Sequence, residues 1–282
     1  DLPEKLQVGL FNVLEERDFQ VKGYRVRLPL DVLVVASANP EDYTSRGRII
    51  TPLKDRYAAQ IRTHYPKTRE LELAVMRQEA SLPEAPGVAL VIPPFMQAIV
   101  AEATLQARRH PDVNQASGVS VRMSIASYET LAANSLRRAL RLGESEAVPR
   151  ISDLLALEAS MLGKLELEQA TSGRSEAETL TEIVQRATKA VFDELVPAEG
   201  LAPVTLAFDQ GWRVEVSAAM PAAEVLAGLD EIPGLREGAA RLAGGDTPPR
   251  LASAVEFVLE GLHLSNRLNK TAREGAAVYA RR

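Results

Sequence analysis

The chain has 282 residues, about twice the ~150 of an average domain, so two or three domains are expected. It is 46% apolar and 25% charged, with Lys+Arg 33 against Asp+Glu 38 for a net charge of −5, and it has no cysteine. These figures exclude a collagen-like or wholly disordered chain, a disulfide scaffold, a thiolate zinc site and a cysteine nucleophile, and they argue against general nucleic-acid binding. Three histidines far apart in sequence, His64, His110 and His263, weigh against a histidine metal cluster. No apolar run approaches the ~20 residues that cross a bilayer, so no membrane partner is expected and the reading is a cytoplasmic protein. The sequence opens at Asp1 directly into an amphipathic pattern, which reads as the back portion of a longer chain.

In chain order, Asp1-Leu2-Pro3-Glu4 is a helix start: an Asp cap, a first-turn proline, then an acid near the positive end. Leu6, Leu10, Val13 and Leu14 follow at helical spacing to about Glu16. Phe19 to Val21 and Tyr24 to Leu28 alternate around Lys22-Gly23, a short hairpin with one face exposed. Val32-Leu33-Val34-Val35-Ala36 is apolar at every position, the pattern of a parallel strand covered on both faces. It ends in Ser37-Ala38-Asn39-Pro40 and a polar loop, Glu41 to Ile50, and Ala59 to Thr63 reads as another short strand. Thr68 caps a helix carrying Leu71, Val75 and Met76, and Leu82 to Gly87 reads as a linker.

Helices then dominate. They are expected over Phe95 to Arg108, Val119 to Leu142 (ended by Gly143, with Ile125, Tyr128, Leu131 and Leu136 inward), Ile151 to Gln169 and Ser175 to Leu195. Val204 to Ser217 reads as a hairpin around Asp209-Gln210-Gly211, with Trp212 as core. Two short helices, a Gly/Pro loop at Gly244 to Pro249 and a last helix from Leu251 to Leu268 complete the chain. Asp153, Glu158, Glu166 and Glu168 fit a solvated helix face, and His64 and His263 read as ordinary surface or core residues.

Five residues invite chemistry. Asn39 stands at the carboxyl end of the most buried strand pattern, where open parallel sheets collect ligands; the alternative is a plain Asn-Pro turn. Arg46, Arg48 and Arg56 follow, permanently charged forks able to meet phosphate oxygens; the alternative is solvation or local pairing, for Arg56 within Lys54-Asp55-Arg56. Arg122 opens a helix, where a cation opposes the dipole, a cost tolerated beside an anion or beside an Asp or Glu.

Taken together, Val8-Gly9-Leu10-Phe11-Asn12-Val13-Leu14-Glu15-Glu16-Arg17, Ser37-Ala38-Asn39-Pro40 and Leu53-Lys54-Asp55-Arg56-Tyr57 resemble, in order, the AAA+ ATPases of the magnesium-chelatase subunit and MoxR type. The resemblance is closest from Leu2 to about Pro66, extends to about Leu142 and fades beyond. It implies an α/β fold: the later part of a P-loop NTPase core (1–81), a helical lid (88–148) and a mainly α carboxyl-terminal domain with a small β-hairpin (149–282), of unassigned role. It implies Asn39 as sensor 1, which helps place the attacking water, Arg56 as the trans-acting arginine finger, and Arg122 as sensor 2, which contacts the γ-phosphate. It assigns no role to Arg46 or Arg48.

The same resemblance implies ATP and Mg²⁺ as cofactors, ATP hydrolysis between subunits of a homo-oligomeric ring, usually a hexamer, remodelling of a target, and a partner with a von Willebrand factor A domain. No Gly-x-x-x-x-Gly-Lys-[Ser/Thr] loop and no strand ending in an acidic pair occur, so the phosphate-loop and magnesium ligands are expected upstream of Asp1 and the chain alone is expected to be inactive. Two other readings stand beside this one. A sigma-54-type AAA+ transcription regulator would place a DNA-reading helix-turn-helix in the basic stretch from Asn266 to Arg282. The other is a non-catalytic helical scaffold.

Overall fold

The computed structural model describes residues 3–16, 18–21, 23–27, 33–38, 49–114, 118–167, 174–197, 201–273 and 275–281. It divides into two units, 1–64 and 65–282.

In the first unit Pro3 precedes α1 (Glu4–Phe11), its fixed φ of −54° leading into the helix, which continues as one wide turn over Asn12–Glu16. Gln7 is buried, and its Oε1 accepts the Ile50 N–H at 3.0 Å, which ties α1 to the start of α2 (Thr51–Asp55). Leu6, expected on the inner face, is 57% exposed. The expected hairpin is present as β1 (Asp18–Val21) and β2 (Tyr24–Arg27), antiparallel with Phe19 opposite Val26, and every β2 residue is exposed.

Two strand expectations in this unit are corrected. Residues 33–38 form no strand, and Leu33 and Val35 are 90% and 84% exposed; Val32 lies outside the described residues. Residues 59–63 are likewise irregular, with Ile61 exposed. The physical reason is the same for both. An apolar run becomes a buried strand only when neighbours supply its ladder and its covers, and the only pairing among the described residues of this unit is β1 with β2.

The second unit opens with α3 (Arg69–Glu79), capped by Thr68, whose Oγ1 accepts the Leu71 N–H at 3.4 Å. Met76 is buried and Val75 half-buried as expected, whereas Leu71 is exposed and Glu72 takes the inward place. Next come α4 (Pro94–Ala107), α5 (Arg122–Leu142), and a two-residue parallel bridge between β3 (Ala89–Leu90) and β4 (Glu146–Ala147) that brings the two ends of this helix pair together. Gly143 ends α5 and Tyr128, Leu131 and Leu136 are buried, in agreement with the pattern; Ile125 is half-buried. The helix expected over Ile151 to Gln169 is instead a 3₁₀ turn (Ile151–Ala156) and a short α6 (Leu157–Met161), closed by Leu162 in an extended conformation. Then α7 (Glu176–Leu195) starts at Ser175 with a reciprocal capping box to Glu178.

The hairpin expected over 204–217 is also corrected. Ala202–Asp209 is a helix, α8, because Val204, Ala207 and Phe208 bury at i, i+3 and i+4 spacing, and only Arg213–Ser217 is a strand, β5. Trp212 packs, half-buried, against the core. After α9 (Ala222–Val225) and α10 (Leu235–Ala243), the last helix, α11 (Pro248–Leu264), ends before Leu268 and gives way to β6 (Asn269–Arg273) and β7 (Ala276–Ala280). The stretch expected under the regulator reading to hold a helix-turn-helix is thus a β-hairpin, completing an antiparallel sheet ordered β5-β7-β6. Among the described residues no helix is long and apolar enough to cross a membrane.

Residues 251–262 of α11 are all buried, and one core runs from Met76 to Tyr279 around them. Phe257 of α11 stacks on Phe95 of α4 at 4.6 Å between ring centroids and meets Phe192 of α7 edge-on at 5.7 Å. Gly261 permits this approach, since a Cβ there would lie 2.0 Å from the Phe192 ring. Gly261→Ala is therefore expected to cost ~1–3 kcal/mol by overpacking, read as a lowered urea midpoint, and Phe192→Leu is expected to restore part of the loss in the double variant.

Candidate functional site

The start of α5 is built on a buried carboxylate. Glu72, on α3, is fully buried and accepts Arg108 Nη1 at 2.8 Å, Arg108 Nη2 at 3.2 Å and Ser124 Oγ at 2.6 Å. Arg108, just past α4, also donates its Nε to the Val119 carbonyl at 2.9 Å and lies over the Tyr65 ring at 4.6 Å. Ser124 is in the first turn of α5, so a single carboxylate fixes α3, the end of α4 and the beginning of α5. Gly118, at φ +67°, lets the chain pass the Tyr65 hydroxyl, where a Cβ would meet that oxygen at 2.3 Å.

Arg122 emerges from this anchored corner. It is the first residue of α5, and its backbone N–H donates to Ser120 Oγ at 3.2 Å. Its side chain is exposed, no acid stands in the first turn, and its guanidinium makes no hydrogen bond or ion pair with any described residue. Of the two partners that the sequence leaves open for a cation at this helix end, a local Asp or Glu is therefore not used.

Arg56, in the first unit, is engaged. Its Nε donates to Glu15 Oε2 at 2.7 Å, its Nη1 donates to the Pro52 carbonyl at 2.8 Å, and the guanidinium lies 4.6 Å from the Phe11 ring centroid. The acid it pairs with is Glu15, distant in sequence, and not Asp55 within Lys54-Asp55-Arg56, as one sequence alternative had it. Glu15 is 62% exposed and Arg56 31%, and exposed pairs of this kind are worth only ~0–1 kcal/mol, so an incoming polyanion competes for the guanidinium readily. Asn39, Arg46 and Arg48 lie outside the described residues. Arg56 and Arg122 belong to different units.

The sequence reading missed a second charged centre. Asp153, expected on a solvated face, is fully buried. It accepts Arg138 Nη2 at 3.0 Å, Asn134 Nδ2 at 2.7 Å and the Arg150 backbone N–H at 2.8 Å. Glu144 takes Arg138 Nη1 at 3.1 Å, Arg150 Nη2 at 3.0 Å and the Ala222 N–H at 2.7 Å. Glu256 of α11 accepts the Ser152 N–H at 2.9 Å, and its other oxygen stands 4.0 Å from Arg150 Nη1. The legible signal was Arg138, which shares the inward face of α5 with Leu131 and Ser135. Glu158 and Glu166 are exposed as expected, and Glu168 lies outside the described residues.

Burial pushes the Glu256 carboxyl above its usual range, and burial followed by the neighbouring Arg138 lowers Arg150. The bookkeeping of charge agrees. Two guanidinium groups balance Glu144 and Asp153, and a third ionised carboxyl would leave the buried cluster negative. Elsewhere, His110 is buried with Nε2 4.0 Å from Glu182, His263 is half-buried with Nδ1 3.2 Å from the Leu268 carbonyl, and His64 is exposed. Among the described residues no three His, Asp or Glu side chains converge as a metal-binding group.

Two outcomes are expected. Glu72→Ala strands the Arg108 guanidinium and should cost ~3–5 kcal/mol in urea unfolding, whereas Arg122→Ala should leave the midpoint unchanged. For Glu256, a folded-state pKa above the ordinary ~4.3 gives stability that is complete below that value and lost as pH rises through the raised one. As pH rises above about 5, wild-type unfolding midpoints should accordingly fall more steeply than those of Glu256→Gln, and equal slopes would reject the assignment. No protein-family model, curated protein or solved structure matches this chain, so the functional reading rests on these residues.

Proposed function

We propose that this chain is part of an ATP-hydrolysing AAA+ machine of the magnesium-chelatase/MoxR type, in which Arg122 reads the terminal phosphate and Arg56 reaches a nucleotide held by a neighbouring subunit. The observation that carries the proposal is Arg122: an exposed guanidinium at the positive end of α5, without a partner among the described residues, on a corner fixed by Glu72, Arg108 and Ser124. A cation placed against a helix dipole without an internal counter-ion is poised for an external anion, and a phosphate oxygen satisfies its fork. The buried anchor supports this role, because a group that stabilises developing charge acts best when it need not reorganise.

Arg56 supports the finger role in a different way. Its exposed pair with Glu15 keeps the guanidinium ordered but cheap to release. ATP supplies the phosphoanhydride bond; the proposed contribution of this chain is charge stabilisation by the two arginines, with Asn39 orienting the water. The sequence has no Gly-x-x-x-x-Gly-Lys-[Ser/Thr] loop, and the proposal assigns the phosphate cradle and the Mg²⁺ ligands to other residues of the machine. The ring, its von Willebrand factor A-domain partner and the remodelled target are part of the same proposal.

The test is ATP turnover by the assembled protein that joins these residues to a phosphate-binding loop. Arg56→Ala should lower turnover by ~10³-fold or more while retaining nucleotide binding, and Arg122→Ala should slow turnover and weaken binding. Wild-type turnover in either variant would remove that arginine's role, and an assembled wild-type protein that hydrolyses no nucleotide would end the proposal.

A further inference from the structure

The second unit contains a cavity of about 420 Å³ that the ATPase reading does not use. It lies between the 3₁₀ turn with α6, the helices α7 and α11, and one face of the β5-β7-β6 sheet. Its size is within the ~300–1,000 Å³ of small-molecule sites. Ile151, Leu154, Met161, Leu180, Val184 and Ala277 make most of its wall apolar.

The polar groups on that wall have a definite sign. Glu260, 4% exposed, accepts Lys270 Nζ at 2.7 Å and the Tyr279 hydroxyl at 2.5 Å, both on Oε2. Its Oε1 receives no hydrogen bond from any described residue and is an open acceptor on the wall; Glu256 Oε1, on the same lining, is a second, but that atom is withdrawn from the surface beside Arg150. Burial, then the adjacent Glu260, pushes the Tyr279 phenol far above its usual value, so it remains a donor to Oε2 at neutral pH. Lys270, the single cation of the lining, is spent on Glu260, while Glu158 adds an exposed carboxylate and Glu256 a buried carboxyl. With Glu158 and Glu260 ionised, the lining sums to one negative charge when Glu256 is neutral and to two when it is ionised.

We propose that this cavity binds a small molecule with an aliphatic or aromatic body and one protonated amine, the ammonium donating to Glu260 Oε1. Glu260 then stands between two ammonium groups, one on each oxygen, as a carboxylate's lone pairs allow. The apolar body fills the space between α7 and the sheet, where burial supplies the affinity, and the charged end selects the head group. A carboxylate of the same shape would face Glu260 and Glu158 and be refused.

The experiment is calorimetric titration of the 282-residue chain at neutral pH with three probes of one chain length: n-octylamine, octan-1-ol and octanoate. The amine should saturate one site, with octanoate at least about tenfold weaker and the alcohol between them. Thr181→Trp and Val184→Trp, both on α7 and facing the cavity without being fully buried, should each abolish amine binding by filling the space. Glu260→Gln should weaken the amine about tenfold and leave the alcohol nearly unchanged. Octanoate binding as tightly as the amine, amine binding that survives both tryptophan variants, or no saturable binding by any probe would each overturn the proposal. The comparison of head groups on the wild-type chain decides the matter even where a variant fails to fold, and it is independent of ATP hydrolysis.

Discussion

The second unit depends on the burial of α11 on every side. A helix whose residues 251–262 are all withdrawn from water ordinarily carries no acid, yet this one carries Glu256 and Glu260, one turn apart. Each carboxyl takes its hydrogen bonds on one oxygen, and the two do so in opposite surroundings. Glu256 holds the backbone of the 3₁₀ turn and sits beside the Arg138–Arg150 network; Glu260 holds Lys270 and Tyr279 of the sheet. A single helix thereby ties the arginine-rich centre to the β-hairpin, and the three phenylalanine rings of α4, α7 and α11 pack around the same axis. Apolar packing brings these elements together; the two carboxyls select the arrangement in which they meet.

Local signals were legible in the sequence, and partnerships were not. Thr68, Ser175 and Gly143 mark helix ends through bonds made within a few residues of themselves, and α3, α5 and α7 follow from them. The Val32 to Ala36 pattern asks for ladders from elsewhere, and without them Leu33 and Val35 are exposed. The 204–208 segment is too short for an apolar run to declare its period, and tertiary packing makes it helical. Asp153 reads as an ordinary surface acid until Arg138 and Arg150 close around it.

The candidate site divides along the same line. Arg122 was visible as a cation at the wrong end of a helix, a property of three or four neighbouring residues. The carboxylate beneath it was not: Glu72 sits in an Arg-Glu-Leu-Glu run that looks solvated, and only the folded chain brings Arg108 and Ser124 to it. Arg56 shows the converse, since its charge was legible but its partner Glu15 lies 41 residues earlier. A rigid support under one arginine and a weak, exposed restraint on the other are different ways to keep a guanidinium ready. They suit the two roles proposed for these residues, a sensor that must not move and a finger that must change partners.

The order of the small sheet carries a temporal consequence. β5 and β6 are both hydrogen-bonded to β7 and not to each other, and β7 is the last of the three to leave the ribosome. Until Ala276–Ala280 is synthesised β5 has no ladder at all, and neither Ala277 nor Tyr279 is present to wall the space beside α7. The hollow and the sheet that bounds it are therefore completed by the same strand, the last of the three to be made.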